Sequence, residues 1–76
     1  MSKPVIRYDP HARMRMRQRG ISEDMVEQAL RNPVLERPGT TPGTLVREAD
    51  ISGRRLAVAF ELRPNECYVR TVYWRN

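Results

Sequence analysis

Between His11 and Arg19 an arginine stands at every second position, and a histidine leads the run: H-A-R-M-R-M-R-Q-R. Wound as a helix, at about 100° per residue, His11, Arg15 and Arg19 fall on one stripe at spacing four. Arg13 and Arg17 emerge on the other side of an apolar strip formed by Ala12 and Met16, while Met14 and Gln18 point to solvent. One imidazole and two guanidiniums in a row suit a phosphodiester backbone, because fixed cations hold phosphate oxygens and an imidazole moves a proton. Each pair of like charges four apart costs such a helix about 0.2–0.5 kcal/mol. The run therefore calls for a negative counterpart, which could be nucleic acid, an acidic protein, or the chain's own second helix.

A second set of candidates stands near the other end. In V-R-T-V-Y-W, alternation puts Thr71 and Tyr73 on one face of a strand and Arg70, Val72 and Trp74 on the other. A threonine or tyrosine hydroxyl can donate to phosphate or orient a 2′-hydroxyl, and aromatics on a sheet can stack bases. Trp74 reads more readily as core, since aromatics supply much of a small domain's burial. Arg54 and Arg55 follow a turn and either reach phosphate or solvate an edge. Other chemistries have no foothold: there is no glycine-rich phosphate loop, no G-x-S-x-G and no H-E-x-x-H. One histidine and one cysteine do not make a four-ligand metal site, so neither metal nor cofactor is expected. RNA cleavage needs neither, because the substrate carries its own 2′-hydroxyl nucleophile.

Composition points the same way. The 76 residues fit a single domain, 1–76, with a formal net charge of +5, and thirteen of the fourteen basic residues are arginine. Arginine's planar fork matches phosphate and stacks on bases better than an ammonium does. The charge is uneven: residues 1–20 carry six bases against one acid, residues 21–50 three against six, and residues 51–76 five against two. A sequence pI near 10.3 fits a polyanion partner such as RNA. The N-terminus shows no signal-like apolar stretch and no run reaches membrane-spanning length, so the expectation is a cytoplasmic protein with no membrane partner.

The elements that must position these residues are well marked. Asp9 caps the first helix with Pro10 at its first position, and Gly20 ends it with Ile21 folding back onto Met16. Ser22 caps a second helix, with Glu23 and Asp24 in its first turn and Met25, Val26, Ala29 and Leu30 on one arc, stopped by Asn32-Pro33. Glu36–Thr44 reads as a loop. Leu45–Ile51 and Arg54–Leu62 read as a hairpin about Ser52-Gly53, with Leu56, Val58, Phe60 and Leu62 toward the helices and Arg55, Ala57, Ala59 and Glu61 away. Cys67–Trp74 reads as a further strand after Pro64-Asn65. The fold expected is α+β: an N-terminal αα-hairpin on a three- to four-stranded antiparallel sheet (α-α-β-β-β), the fourth strand being an edge formed by Val5–Tyr8.

The run from His11 to Ser22 resembles a family of small bacterial domains of unknown function. Its members read H-A-x-x-R-M-x-x-R-G-I-S, then V-x-x-x-L-x-x-P, a G-R-R-L strand and a closing T-V-Y. Here these are Val26, Leu30 and Pro33; Gly53 to Leu56; and Thr71 to Tyr73. More distantly, Y-D-P and G-I-S resemble the BrnT group of toxins, thought to share the barnase/EndoU/colicin/RelE ribonuclease fold. That resemblance implies a RelE-like fold and a metal-independent endoribonuclease toxin, restrained by an acidic or DNA-binding antitoxin. It maps His11, Arg15, Arg19 and Thr71 onto motif positions, with Arg55 and Tyr73 as further candidates.

The leading expectation is thus a toxin-like ribonuclease. His11 or Tyr73 handles the proton, Arg15, Arg19 and Arg55 neutralise phosphate, and Thr71 orients the substrate. Arg13, Arg17, Arg54 and Arg70 join Arg55 in contacting RNA. The rivals are a non-catalytic RNA- or ribosome-binding module and a protein-interaction domain built on the arginine-rich helix.

Overall fold

A computed structural model describes residues 4–75. In chain order the elements are β1 (Val5–Tyr8), α1 (Pro10–Arg19), α2 (Glu23–Arg31), β2 (Leu35–Pro38), β3 (Leu45–Ile51), β4 (Arg54–Arg63) and β5 (Glu66–Arg75). The α+β class and the helical hairpin are as expected, but the sheet has five strands and is mixed. Its order is β1-β5-β4-β3-β2, with β1 parallel to β5 and every other pair antiparallel. β1 is the anticipated edge. β2 corrects the reading of residues 36–44 as a loop throughout. L-E-R-P offers one apolar side chain and a proline, a pattern that only a one-sided edge strand tolerates. It pairs along β3, from Leu35 opposite Glu48 to Pro38 opposite Leu45, and is flanked by the Val34 N–H donating to the Glu48 carbonyl at 2.8 Å and the Gly39 N–H to the Thr44 carbonyl at 2.7 Å.

Both helices start and stop where their caps dictate. The Asp9 carboxylate accepts from the His11 N–H at 2.8 Å. Gly20 takes the left-handed conformation at φ 66°, and the Ile21 N–H bonds back to the Met16 carbonyl at 2.9 Å. Ser22 Oγ accepts from the Met25 N–H at 3.2 Å. Ser22→Ala is therefore expected to cost about 1 kcal/mol of stability, read as a lower urea midpoint at unchanged slope.

Ala12, Met16, Ile21, Val26, Ala29 and Leu30 are buried against one face of the sheet, on Leu56, Val58, Phe60, Val69 and Val72. Each large side chain so buried contributes roughly 1.5–3 kcal/mol. Trp74 packs against this core, as its sequence context indicated, and its indole N–H donates to the Arg19 carbonyl at 2.9 Å.

Alternation in β5 is broken once. Ala59 pairs with Thr71 but Phe60 pairs with Val69, which leaves Arg70 as an extra residue in a bulge. Val69 and Val72 therefore both face the helices, whereas Arg70 and Thr71 both line the opposite side. This corrects the placement of Arg70 with Val72 and Trp74. Thr71 and Tyr73 share a face as expected.

Candidate nucleic-acid interface

The structure distributes the arginines of α1 among different tasks. Arg19 donates to the Val72 carbonyl at 2.7 Å, so its guanidinium ties α1 to β5. Arg13 pairs with Glu23 and lies over the Tyr8 ring, 4.2 Å from its centroid. Arg15 Nε donates to His11 Nε2 at 3.4 Å and its Nη1 to Gln18 at 3.1 Å, all at the exposed surface. Arg17 is exposed as well. His11 and Arg15 thus sit together on the solvent side of α1. Thr71 and Tyr73 lie on the sheet face that the helices leave bare. The expected catalytic set divides between two surfaces, and the fold does not bring its members together.

The bare face carries a denser constellation, and strand register explains it. Side chains directly across from one another form rows. One row runs Arg37, Val46, Ala59, Thr71; the next runs Leu35, Glu48, Ala57, Tyr73; the third runs Asp50, Arg55, Arg75. Alanines at positions 57 and 59 leave the middle of the sheet low, and charged side chains from both flanks lean over it. Glu48 lies at the centre, only 1% exposed. Its carboxylate accepts from Arg75 at 2.6 Å, Arg37 at 3.2 Å and Arg55 at 3.4 Å. Arg55 also holds Asp50 at 2.7 Å, and Arg37 donates to the Tyr73 hydroxyl at 2.9 Å.

The electrostatics follow from these contacts. Burial pushes the Glu48 carboxyl upward, but hydrogen bonds from Arg75, Arg37 and Arg55 outweigh it, and the net direction is down. The Tyr73 and Glu48 contacts hold Arg37 above the ordinary guanidinium range, and Asp50 does the same for Arg55. Glu48 is consequently an ionised anchor, not a proton donor. A carboxylate that fixes three guanidiniums preorganises them for a second anion arriving from solvent, since arginine has five donors and uses one or two here. The Tyr73 oxygen is engaged by Arg37, and its own proton has no acceptor among the described residues.

Two recesses flank this knot. One of about 520 Å³ is lined by Leu35, Asp50, Gly53, Arg54, Arg55 and Arg75 around Glu48. The other, of about 190 Å³, lies between the 39–44 loop and β5, with Arg37, Arg70, Thr71 and Tyr73 on its walls. Arg54 stacks over the Trp74 ring at 4.0 Å, and Arg70 pairs with Glu61. Among the described residues no three His, Cys, Asp or Glu side chains converge where they could hold a metal ion. Among the described residues no helix is long and apolar enough to cross a membrane.

Of the residues that sequence pointed to, Arg55, Arg70, Thr71 and Tyr73 meet on this face. Arg37, Glu48 and Arg75 were not anticipated. Arg37 lies in the segment read as loop, Arg75 lies one residue past the expected strand end, and a carboxylate on an outward strand face reads as solvated. The one available signal was the small-residue alternation A-V-A at Ala57–Ala59, which leaves space on an outward face that β-branched residues would ordinarily fill.

No curated protein and no solved structure matches the chain. A family model does, across residues 8–74, which takes in the histidine–arginine helix, the knot on the bare face and the closing T-V-Y. The chain belongs to the family described as a domain of unknown function, DUF4258.

Proposed function

We propose that this protein is a toxin-like, metal-independent endoribonuclease that works on the helix-free face of its sheet. The observation that carries this reading is the arrangement of Arg37, Arg55 and Arg75 around buried Glu48, with the Tyr73 hydroxyl 2.9 Å from Arg37. An RNA phosphate seated over the knot meets guanidinium donors that are already oriented, which is where electrostatic catalysis gains most. In the reaction the 2′-oxygen attacks phosphorus and its proton leaves to solvent. The bond from phosphorus to the 5′-oxygen breaks, and Tyr73 gives its proton to that departing oxygen. Thr71, one row away, orients the ribose. The products are a 2′,3′-cyclic phosphate and a 5′-hydroxyl end. A basic protein of this kind would be restrained in its cell by an acidic partner that covers the arginines.

The test is incubation of the purified chain with end-labelled RNA in the presence of a chelator. Fragments ending in cyclic phosphate support the reading, and RNA left intact by a chain that still binds it rejects cleavage. In the same assay His11→Ala is expected to leave the rate unchanged, because His11 bonds only Asp9 and Arg15 and touches none of the knot residues. A large loss in that variant would move the site back to α1.

One observation favours a second reading, a non-catalytic RNA-binding module. The residues around the knot include no imidazole or lysine, and their one buried carboxylate is fully engaged. Binding with a steep salt dependence and no cleavage would establish that alternative.

A further inference from the structure

We infer that the recess between the 39–44 loop and β5 is a nucleoside pocket, which seats one base of an RNA chain beside the phosphate held by the arginine knot. This inference rests on the RNA reading and adds to it the means by which the protein selects a base.

The shape comes first. Val46 and Ala59 pair across β3 and β4 and form a flat apolar floor. Arg37 and Arg70 stand on its walls, together with the hydroxyl-bearing Thr71 and Tyr73. The bulge at Arg70 is what puts Arg70 and Thr71 on the same side, so the irregularity in β5 builds this wall. The loop wall is equally fixed. The Gly39 N–H donates to the Thr44 carbonyl at 2.7 Å, and the Thr44 N–H donates to the Thr41 carbonyl at 3.0 Å. A side chain at Gly39 would come within 3.0 Å of the Thr44 Cβ, Cγ2 and carbonyl oxygen, so the loop closes this tightly only with glycine there. At about 190 Å³ the recess falls below the volume that drug-sized ligands occupy and suits a single ring system.

Charge then distinguishes among occupants. Arg37 is already paired with Glu48, and Arg70 with Glu61. Arg70 is thus engaged by Glu61, and the positive charge left over on Arg37, which shares Glu48 with Arg55 and Arg75, serves the phosphate of the knot and not the recess walls. They offer guanidinium planes and hydroxyl groups to a neutral, flat, polar ligand, which describes a nucleobase. Thr44 supplies an independent sign. It lines the recess, and its hydroxyl is cut off from solvent with no hydrogen-bond partner among the described residues. Buried hydroxyls are rarely left so, and once the Thr44 side chain turns toward an arriving base, the base edge carries the donors and acceptors that would satisfy it.

The experiment titrates the four ribonucleoside 3′-monophosphates, and inorganic phosphate separately, into methyl-labelled protein. One or two of the nucleotides are expected to shift the Thr44, Ala59 and Thr71 methyls, whereas phosphate alone leaves them in place. Ala59→Leu fills the floor and is expected to weaken that nucleotide at least about tenfold without changing the affinity for phosphate. Thr44→Val keeps the shape and removes the orphaned hydroxyl. It is expected to raise the melting temperature of the free protein while weakening the preferred nucleotide, a combination that a purely structural threonine would not give. The pocket is rejected if no nucleotide moves these methyls, if phosphate moves them equally, or if both variants bind as the wild type does. RNA cleaved without base preference and without methyl shifts sinks the pocket and leaves the ribonuclease reading standing. Nucleotide binding with RNA left intact upholds the pocket and sinks the ribonuclease.

Discussion

Tyr73→Phe is expected to slow RNA cleavage about 10²-fold, within the range contributed by a positioned proton donor, with no change in melting temperature. The substitution deletes one oxygen at the helix-free face, where solvent can take over the Arg37 donor. Fold and phosphate binding should therefore survive, so the fall belongs in kcat and not in KM. Arg37→Ala removes a phosphate contact together with the group that orients Tyr73, and its loss should be at least as large. Single-turnover rates on one short RNA, with binding measured separately on a 2′-deoxy analogue, separate the two effects. Equal rates for wild type and Tyr73→Phe would eliminate the tyrosine as the acid.

The second large effect concerns stability. Glu48→Gln is expected to cost about 2 kcal/mol at neutral pH. That is below the ~3–5 typical of breaking a fully buried pair, because the Arg55 and Arg75 side chains are 37% and 46% exposed and can rehydrate. The pH dependence gives the sharper reading. Glu48 has its folded pKa lowered, so its contribution is fully present above the unfolded carboxylate value of about 4.3 and is lost as pH falls through the folded value. Asp9 is lowered by its bonds from Tyr68 and the His11 N–H, and Glu61 by Arg70 and Arg63, and both act in the same direction. The wild type should therefore lose stability in acid, and the gap between it and Glu48→Gln should close. Urea midpoints at pH 7 and pH 3 decide the matter, since a gap of constant size would mean that the knot does not depend on an ionised Glu48. Cleavage by Glu48→Gln should also fall, because the guanidiniums it anchors lose their common reference point.

Local chemistry made much of the fold legible. Asp9, Gly20 and Ser22 act on their immediate neighbours, so caps and hairpin could be read directly. Alternation from Leu56 to Phe60 separates core from outer face, but Leu62, read as the next core position, lies beyond the cover of the helices and is 59% exposed. What escaped depends on distant partners. Leu35–Pro38 becomes a strand only because β3 is there to pair with it, and the bulge at Arg70 arises from the fit of β5 to β4. The site was harder to read for the same reason. The arginine run of α1 is conspicuous because its charges are consecutive, whereas Arg37, Glu48, Arg55 and Arg75 meet only through cross-strand register. Charge on α1 is abundant in sequence, but Arg13 and Arg19 there are spent on Glu23 and on the Val72 carbonyl.

The inner position of β5 bears on when the proposed site can form. It lies between β1 and β4 and follows the other described elements in the chain, yet it supplies Thr71, Tyr73 and Arg75. A chain made only as far as β4 has neither the proposed proton donor nor the seam that joins its first strand to the rest. On the proposed ribonuclease reading, cleavage would begin only once this segment has been made and has paired between β1 and β4.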